Sequence, residues 1–72
     1  MTVINTIREF VESRGITVYR FGKETGIAQA TAYRLYNNSD EIPRGDVLNA
    51  ICKTYKIQPG EILRWIPDNE DV

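Results

Sequence analysis

The chain has no histidine and a single cysteine, Cys52. Without histidine it lacks the one side chain that titrates unperturbed near neutral pH, and no other residue pairs a nucleophile with a base. No cluster of residues has metal-ligand spacing, and no glycine-rich phosphate loop is present. Catalysis, a metal, a cofactor and a small-molecule ligand are therefore not expected. A lone cysteine cannot close an internal disulfide. Cys52 also falls on an apolar helical stripe, so it reads as a small buried hydrophobe. No apolar run approaches the ~18 residues of a membrane span, and the N-terminus lacks a signal-peptide core. A reducing, cytoplasmic setting and no membrane follow as expectations. Charge of either sign is also scarce in sum, with a formal net charge of −1. No strand pattern, internal repeat or low-complexity tract stands out.

What is present is one small domain of 72 residues with an ordinary globular composition, 42% hydrophobic and 26% charged. A chain this short buries only about 60% of its unfolded surface, so modest stability is expected. Its charge is unevenly spread. Between residues 14 and 44, Arg14, Arg20, Lys23, Arg34 and Arg44 stand against Glu24, Asp40 and Glu41. From residue 59 onward, Glu61, Asp68, Glu70 and Asp71 stand against Arg64 alone. The middle of the chain is basic and its end acidic.

Periodicity predicts an all-α chain of five short helices. Val3, Ile4, Ile7, Phe10 and Val11 recur at helical spacing, which predicts a first helix from about Val3 to Arg14, stopped by Gly15. Thr17 is a suitable N-cap for a second helix ending at Gly26, where glycine supplies the left-handed conformation of a turn. A third helix is expected from Gln29 to Tyr36, then a polar loop from Asn37 to Glu41 closed by Ile42 and Pro43. A fourth starts just past Pro43, with Val47, Leu48, Ile51, Cys52 and Tyr55 as its apolar face. Pro59 and Glu61 suit the start of a short fifth helix carrying Ile62, Leu63, Trp65 and Ile66 to Pro67. Residues 1–67 are read as the domain and 68–72 as an acidic, frayed tail.

The run from Thr17 to Leu35 is the most informative. Phe21, Ile27, Ala32 and Leu35 would face a shared core, and Gly22 is small where two helices cross. Gln29, Ala30, Tyr33 and Arg34 are left pointing outward, a surface able to read base edges. These are the marks of a helix-turn-helix. The chain resembles the Cro/repressor-type (Xre-like) helix-turn-helix domains of phage and bacterial regulators, from about Val3 to Ile66. The most specific part is F-G-K-E-T-G-I from Phe21 to Ile27, with Leu35 eight residues later. Ile42-Pro43 and K-I-Q-P-G-E-I-L from Lys56 to Leu63 fit as well.

The resemblance implies a compact lambda-repressor-like bundle and a sequence-specific, double-stranded DNA-binding transcriptional regulator, a repressor of the phage or bacterial type. A homodimer on DNA is expected on physical grounds, since one small domain contacts few base pairs and two on half-sites about 34 Å apart multiply the affinity. The resemblance places Ala28, Gln29, Ala30, Tyr33 and Arg34 against the bases. Gln29 would pair with adenine, Arg34 with guanine O6 and N7, and Ala30 would touch a thymine methyl. Thr17, Tyr19, Arg20, Lys23, Asn37, Asn38 and Arg44 would position the phosphate backbone. Four departures from the family pattern stand out. Val18 replaces a frequent Gln that clamps the backbone. Ala28 replaces a capping Ser or Thr. Asn38 replaces the usual glycine after the third helix and tolerates a left-handed conformation. Val11 and Tyr36 replace a frequent Arg–Glu pair together, so their side chains are expected to touch.

Each assignment has a plainer counterpart. An exposed Arg34 or Lys23 is also what a solvated helix face carries. Trp65 either caps the core or joins Leu63 and Ile66 in a dimer patch. A second function fits the weak basicity, Val18 and Ala28: a protein-interaction module, such as an antitoxin-like partner or adaptor, using the fifth helix and Trp65.

Overall fold

In a computed structural model, which describes residues 2–67, the chain forms four helices and a two-stranded antiparallel sheet. The strand β1 (Thr2–Asn5) precedes helices α1 (Ile7–Arg14), α2 (Val18–Thr25), α3 (Gln29–Asn37) and α4 (Gly45–Tyr55). A single 3-10 turn, Pro59–Glu61, then leads into β2 (Leu63–Ile66). The expected acidic tail lies outside the described residues.

Two expectations are corrected here, both at the ends of the domain. The first helix does not begin at Val3, and among the described residues the expected fifth helix is only the single 3-10 turn at Pro59–Glu61, after which the chain is a strand. Thr2 to Asn5 instead pair with Ile66 to Leu63, Val3 opposite Trp65 and Ile4 opposite Arg64. Short apolar runs satisfy helical and strand spacing alike, and the pairing that decides between them joins opposite ends of the chain. Both segments are rich in β-branched or aromatic residues, which suit a pleated ribbon. The fold is thus predominantly helical rather than all-α.

The three central connections form as their residues dictate. Thr17 has extended backbone and its hydroxyl accepts from the Arg20 amide at 3.1 Å, capping α2. Gly26 ends α2 at φ 79° and turns the chain into α3. Ala28 takes the N-cap position of α3 without a side-chain cap. Asn38 does not adopt the left-handed conformation expected of it. Its backbone is extended (φ −129°), and its backbone N–H and side-chain Nδ2 both donate to the Arg34 carbonyl, at 3.0 and 3.1 Å, which closes α3. Among the described residues, the left-handed non-glycine residue is Lys56, at φ 58° after α4.

Ile7, Phe10, Val11, Phe21, Ala32, Leu35, Ile51, Ile57 and Ile62 form the core. Tyr55 ties three helices to it. Its ring meets Phe10 edge-on at 5.2 Å and stacks on Phe21 at 6.0 Å, and the Arg14 guanidinium lies over it at 5.1 Å. Cys52 is partly buried against the core. Val11 lies within the core and Tyr36 packs against it, so the substituted pair shares one apolar assembly. The Tyr36 ring sits beneath the Arg8 guanidinium at 5.1 Å, and its hydroxyl donates to Glu12 at 3.2 Å.

Candidate nucleic-acid interface

The helix α3 shows two distinct sides. Ala32 and Leu35 are fully buried, and they fix the rotation of the helix against α1 and α2. Ala30, Tyr33, Arg34 and Asn37 are all exposed, at spacings of three and four residues. Those spacings place them on a single outward stripe. Ala28 is exposed just before the helix, and Gln29 is partly buried at its first position. Of the five residues expected to meet bases, four therefore face solvent.

Gln29 is held differently. Its Nε2 donates to the backbone carbonyl of Tyr19 at 3.1 Å, across the α2–α3 crossing. Its Oε1 is enclosed and accepts no hydrogen bond from any described residue. The amide lies directly on Gly22, where a Cβ would come within 2.8 Å of Nε2. Gly22 is thus small for the sake of the Gln29 side chain, a closer reason than helix crossing in general.

Arg34 is also engaged. Its Nε donates to Oε2 of Glu41 at 3.2 Å, in the loop after α3. Glu41 is not among the candidates read from the sequence, and neither is Thr31, which lines a cleft with Arg34, Glu41, Pro43 and Arg44. Thr31 could have been found from its place one turn before Arg34 on the same helix, whereas Glu41 carries no local signal. Glu41 reads as loop charge until the fold brings it back to the helix.

The residues expected at phosphates, Thr17, Tyr19, Arg20, Lys23, Asn37, Asn38 and Arg44, are all exposed. Several already have work inside the protein. Arg20 pairs with Glu24 at 2.8 Å. The Lys23 ammonium lies over the Tyr19 ring at 5.9 Å. Arg44 stands 3.9 Å from Asp46 with both side chains mostly in solvent, a pair too loose to hold it. Glu24 accepts from Tyr55 and Arg20, and these two bonds hold its carboxyl below the usual range.

The residues considered for a dimer surface do not share one face. Alternation along β2 puts Leu63 and Trp65 on one side of the ribbon, with Val3, and Ile66 on the other. Trp65 is 55% exposed and Val3, directly opposite, 46%. Among the described residues, no helix is long and apolar enough to cross a membrane, and no acidic, cysteine or histidine side chains gather as a metal would need.

Comparison with known proteins agrees with this geometry. The Cro/C1-type HTH DNA-binding domain family matches residues 6–68. A Bacillus subtilis (strain 168) protein named "Uncharacterized HTH-type transcriptional regulator YozG" is 31% identical over 70 residues, covering 97% of this chain and 83% of that protein. No solved structure matches the chain. With the turn at Gly26, the buried Ala32 and Leu35 and the outward stripe of α3 in place, the chain belongs to the Cro/C1-type helix-turn-helix DNA-binding domains.

Proposed function

We propose that the protein is a sequence-specific transcriptional regulator, a repressor of the phage or bacterial type, that lays α3 in the major groove of double-stranded DNA. The observation that carries this reading is the outward stripe of α3, with Tyr33 and Arg34 in solvent while Ala32 and Leu35 anchor the opposite side. The regulatory name of the relative supports the same reading.

In this mechanism Arg34 reads guanine through its guanidinium fork. Ala30 meets a thymine methyl, Tyr33 packs on a sugar or methyl, and Ala28 permits close approach. Gln29 reads adenine after its amide leaves Tyr19. The exchange is favourable in kind, because adenine N6–H supplies the donor that the enclosed Oε1 lacks, and adenine N7 replaces the Tyr19 carbonyl. Thr17, Tyr19, Arg20, Lys23, Asn37, Asn38 and Arg44 fix the register on phosphates.

Two copies bind half-sites about 34 Å apart. One domain of this size offers few base contacts, and a second multiplies the affinity. The exposed Trp65–Val3 pair on the ribbon is the surface proposed for the homodimer, in place of a fifth helix. The setting is cytoplasmic, with no cofactor or small-molecule ligand.

Selection of bound sequences from a random duplex pool tests this reading. The expected result is an enriched palindrome containing guanine and adenine. No retained duplex even at low salt would sink it and favour a protein-interaction role through Trp65.

A further inference from the structure

The loop between α3 and α4 is fastened from the far end of the chain. Asn5, at the end of β1, is only 2% exposed. Its Nδ2 donates to the carbonyl of Asn38 at 3.0 Å and to that of Glu41 at 2.6 Å. Its backbone amide donates to the Ser39 carbonyl at 2.7 Å. Its Oδ1 accepts from the Ile7 amide at 3.1 Å, so the side chain itself is fixed at the start of α1. The Glu41 amide closes the loop on Asn38 at 3.1 Å. The backbone of Glu41 is therefore held at both its N–H and its C=O.

From that fixed backbone the Glu41 carboxylate reaches Arg34, and it takes Nε alone. An arginine has five N–H donors, and the four on its two terminal nitrogens remain in a planar fork. The pair is accessible, with side chains 52% and 40% exposed, so DNA can reach it.

We propose that Glu41 is a positioning residue that sets sequence specificity, orienting Arg34 through Nε so that its terminal nitrogens meet guanine. The inference rests on the reading of α3 as the base-contacting helix. Two effects give the pair this role. A guanidinium already oriented has less rotamer freedom to lose when it seats on a base. The carboxylate also neutralises Arg34 as a general attractor of phosphate, so random duplex gains little from it. Only a guanine that satisfies the fork recovers the interaction. Glu41 thereby lowers non-specific affinity and raises discrimination.

The test compares wild type, Glu41→Gln, Arg34→Ala and the double variant. Each is titrated at one salt concentration against the duplex preferred by wild type, that duplex with the Arg34-dependent base pair changed, and random duplex. Glu41→Gln should bind random duplex several-fold more tightly. Its discrimination at the Arg34-dependent pair should fall on the order of fivefold. In the Arg34→Ala background the same change should leave discrimination unaltered. An exposed ion pair contributes little to folding, so the variant keeps its fold. Unchanged discrimination in Glu41→Gln, with a clear loss in Arg34→Ala, overturns this inference alone. A wild type without sequence preference, or an Arg34→Ala variant that loses none, overturns the reading of α3 and this inference with it.

Discussion

The hydroxyl of Tyr55 donates to the carboxylate of Glu24 at 2.7 Å, joining residues 31 positions apart. Glu24 stands near the end of α2 and Tyr55 at the end of α4, so the bond locks the helix-turn-helix to its scaffold. It also makes stability depend on pH at both extremes. The Tyr55 hydrogen bond, then that from Arg20, lowers the Glu24 pKa below its ordinary 4.5. A depressed carboxyl contributes stability at neutral pH that is lost as pH falls through this range. Burial, then Glu24, raises the Tyr55 pKa well above its ordinary 10.0. A raised phenol contributes stability below pH 10 that is lost as pH climbs beyond it. Thermal unfolding from about pH 3 to about pH 11 should show both limbs, and Tyr55→Phe should flatten both. A Tyr55→Phe curve parallel to wild type would show that the bond is not the cause.

Gly22→Ala separates helix propensity from the Gln29 contact. Alanine gains up to about 1 kcal/mol in a helix interior. The new Cβ would displace the Gln29 amide, which lies 2.8 Å away at the end of a flexible side chain. The lost bond to Tyr19 is of similar size, about 1 kcal/mol, so the melting temperature should change by no more than a few degrees. Sequence preference at the position read by Gln29 should change, as selection from a duplex pool would show. A large loss of stability would mean that Gly22 is packed against something less yielding.

Asn5→Ala leaves the Glu41 carbonyl without its side-chain donor and the buried Ile7 amide without its acceptor, while the Asn38 carbonyl keeps only the Glu41 amide. The expected loss is about 1–3 kcal/mol by chemical denaturation. Hydrogen exchange should quicken at Glu41, whose amide bonds the same loop. Discrimination at the Arg34-dependent base should drop too, although neither Arg34 nor Glu41 has changed. Unchanged exchange in the loop would show that Asn5 is not its fastening.

Much of this centre was legible in the sequence. Thr17 and Gly26 define α2 by local chemistry, a hydroxyl cap and a left-handed residue. Ala32 and Leu35 fix the rotation of α3, and the outward stripe follows by arithmetic. What could not be read depends on contacts between distant residues. Val3 and Ile4 scan as helix because their partners, Trp65 and Arg64, lie at the other end of the chain. Asn5 offers one local cue, an Asx bond from the Ile7 amide, but its role in fastening the loop was not readable, since the carbonyls its Nδ2 holds lie more than 30 residues away. Arg34 and Gln29 were legible as outward residues, but their engagement with Glu41 and Tyr19 was not, because side-chain pairing follows the fold.

Lys23 and Arg44 are read as phosphate contacts. Replacing either with alanine should weaken binding to preferred and random duplex alike. Each should reduce the slope of log affinity against log salt by about 0.9. A salt series on both duplexes measures this. An unchanged slope would return the residue to the solvated surface.

The central claim is that α3 reads bases through Arg34. The most direct measurement is the ratio of affinities for the selected duplex and for random duplex, in wild type and in Arg34→Ala, at one salt concentration. Loss of one bidentate guanine contact should reduce that ratio by about tenfold or more while random binding changes much less. Equal weakening on both duplexes would make Arg34 a phosphate contact and contradict the account.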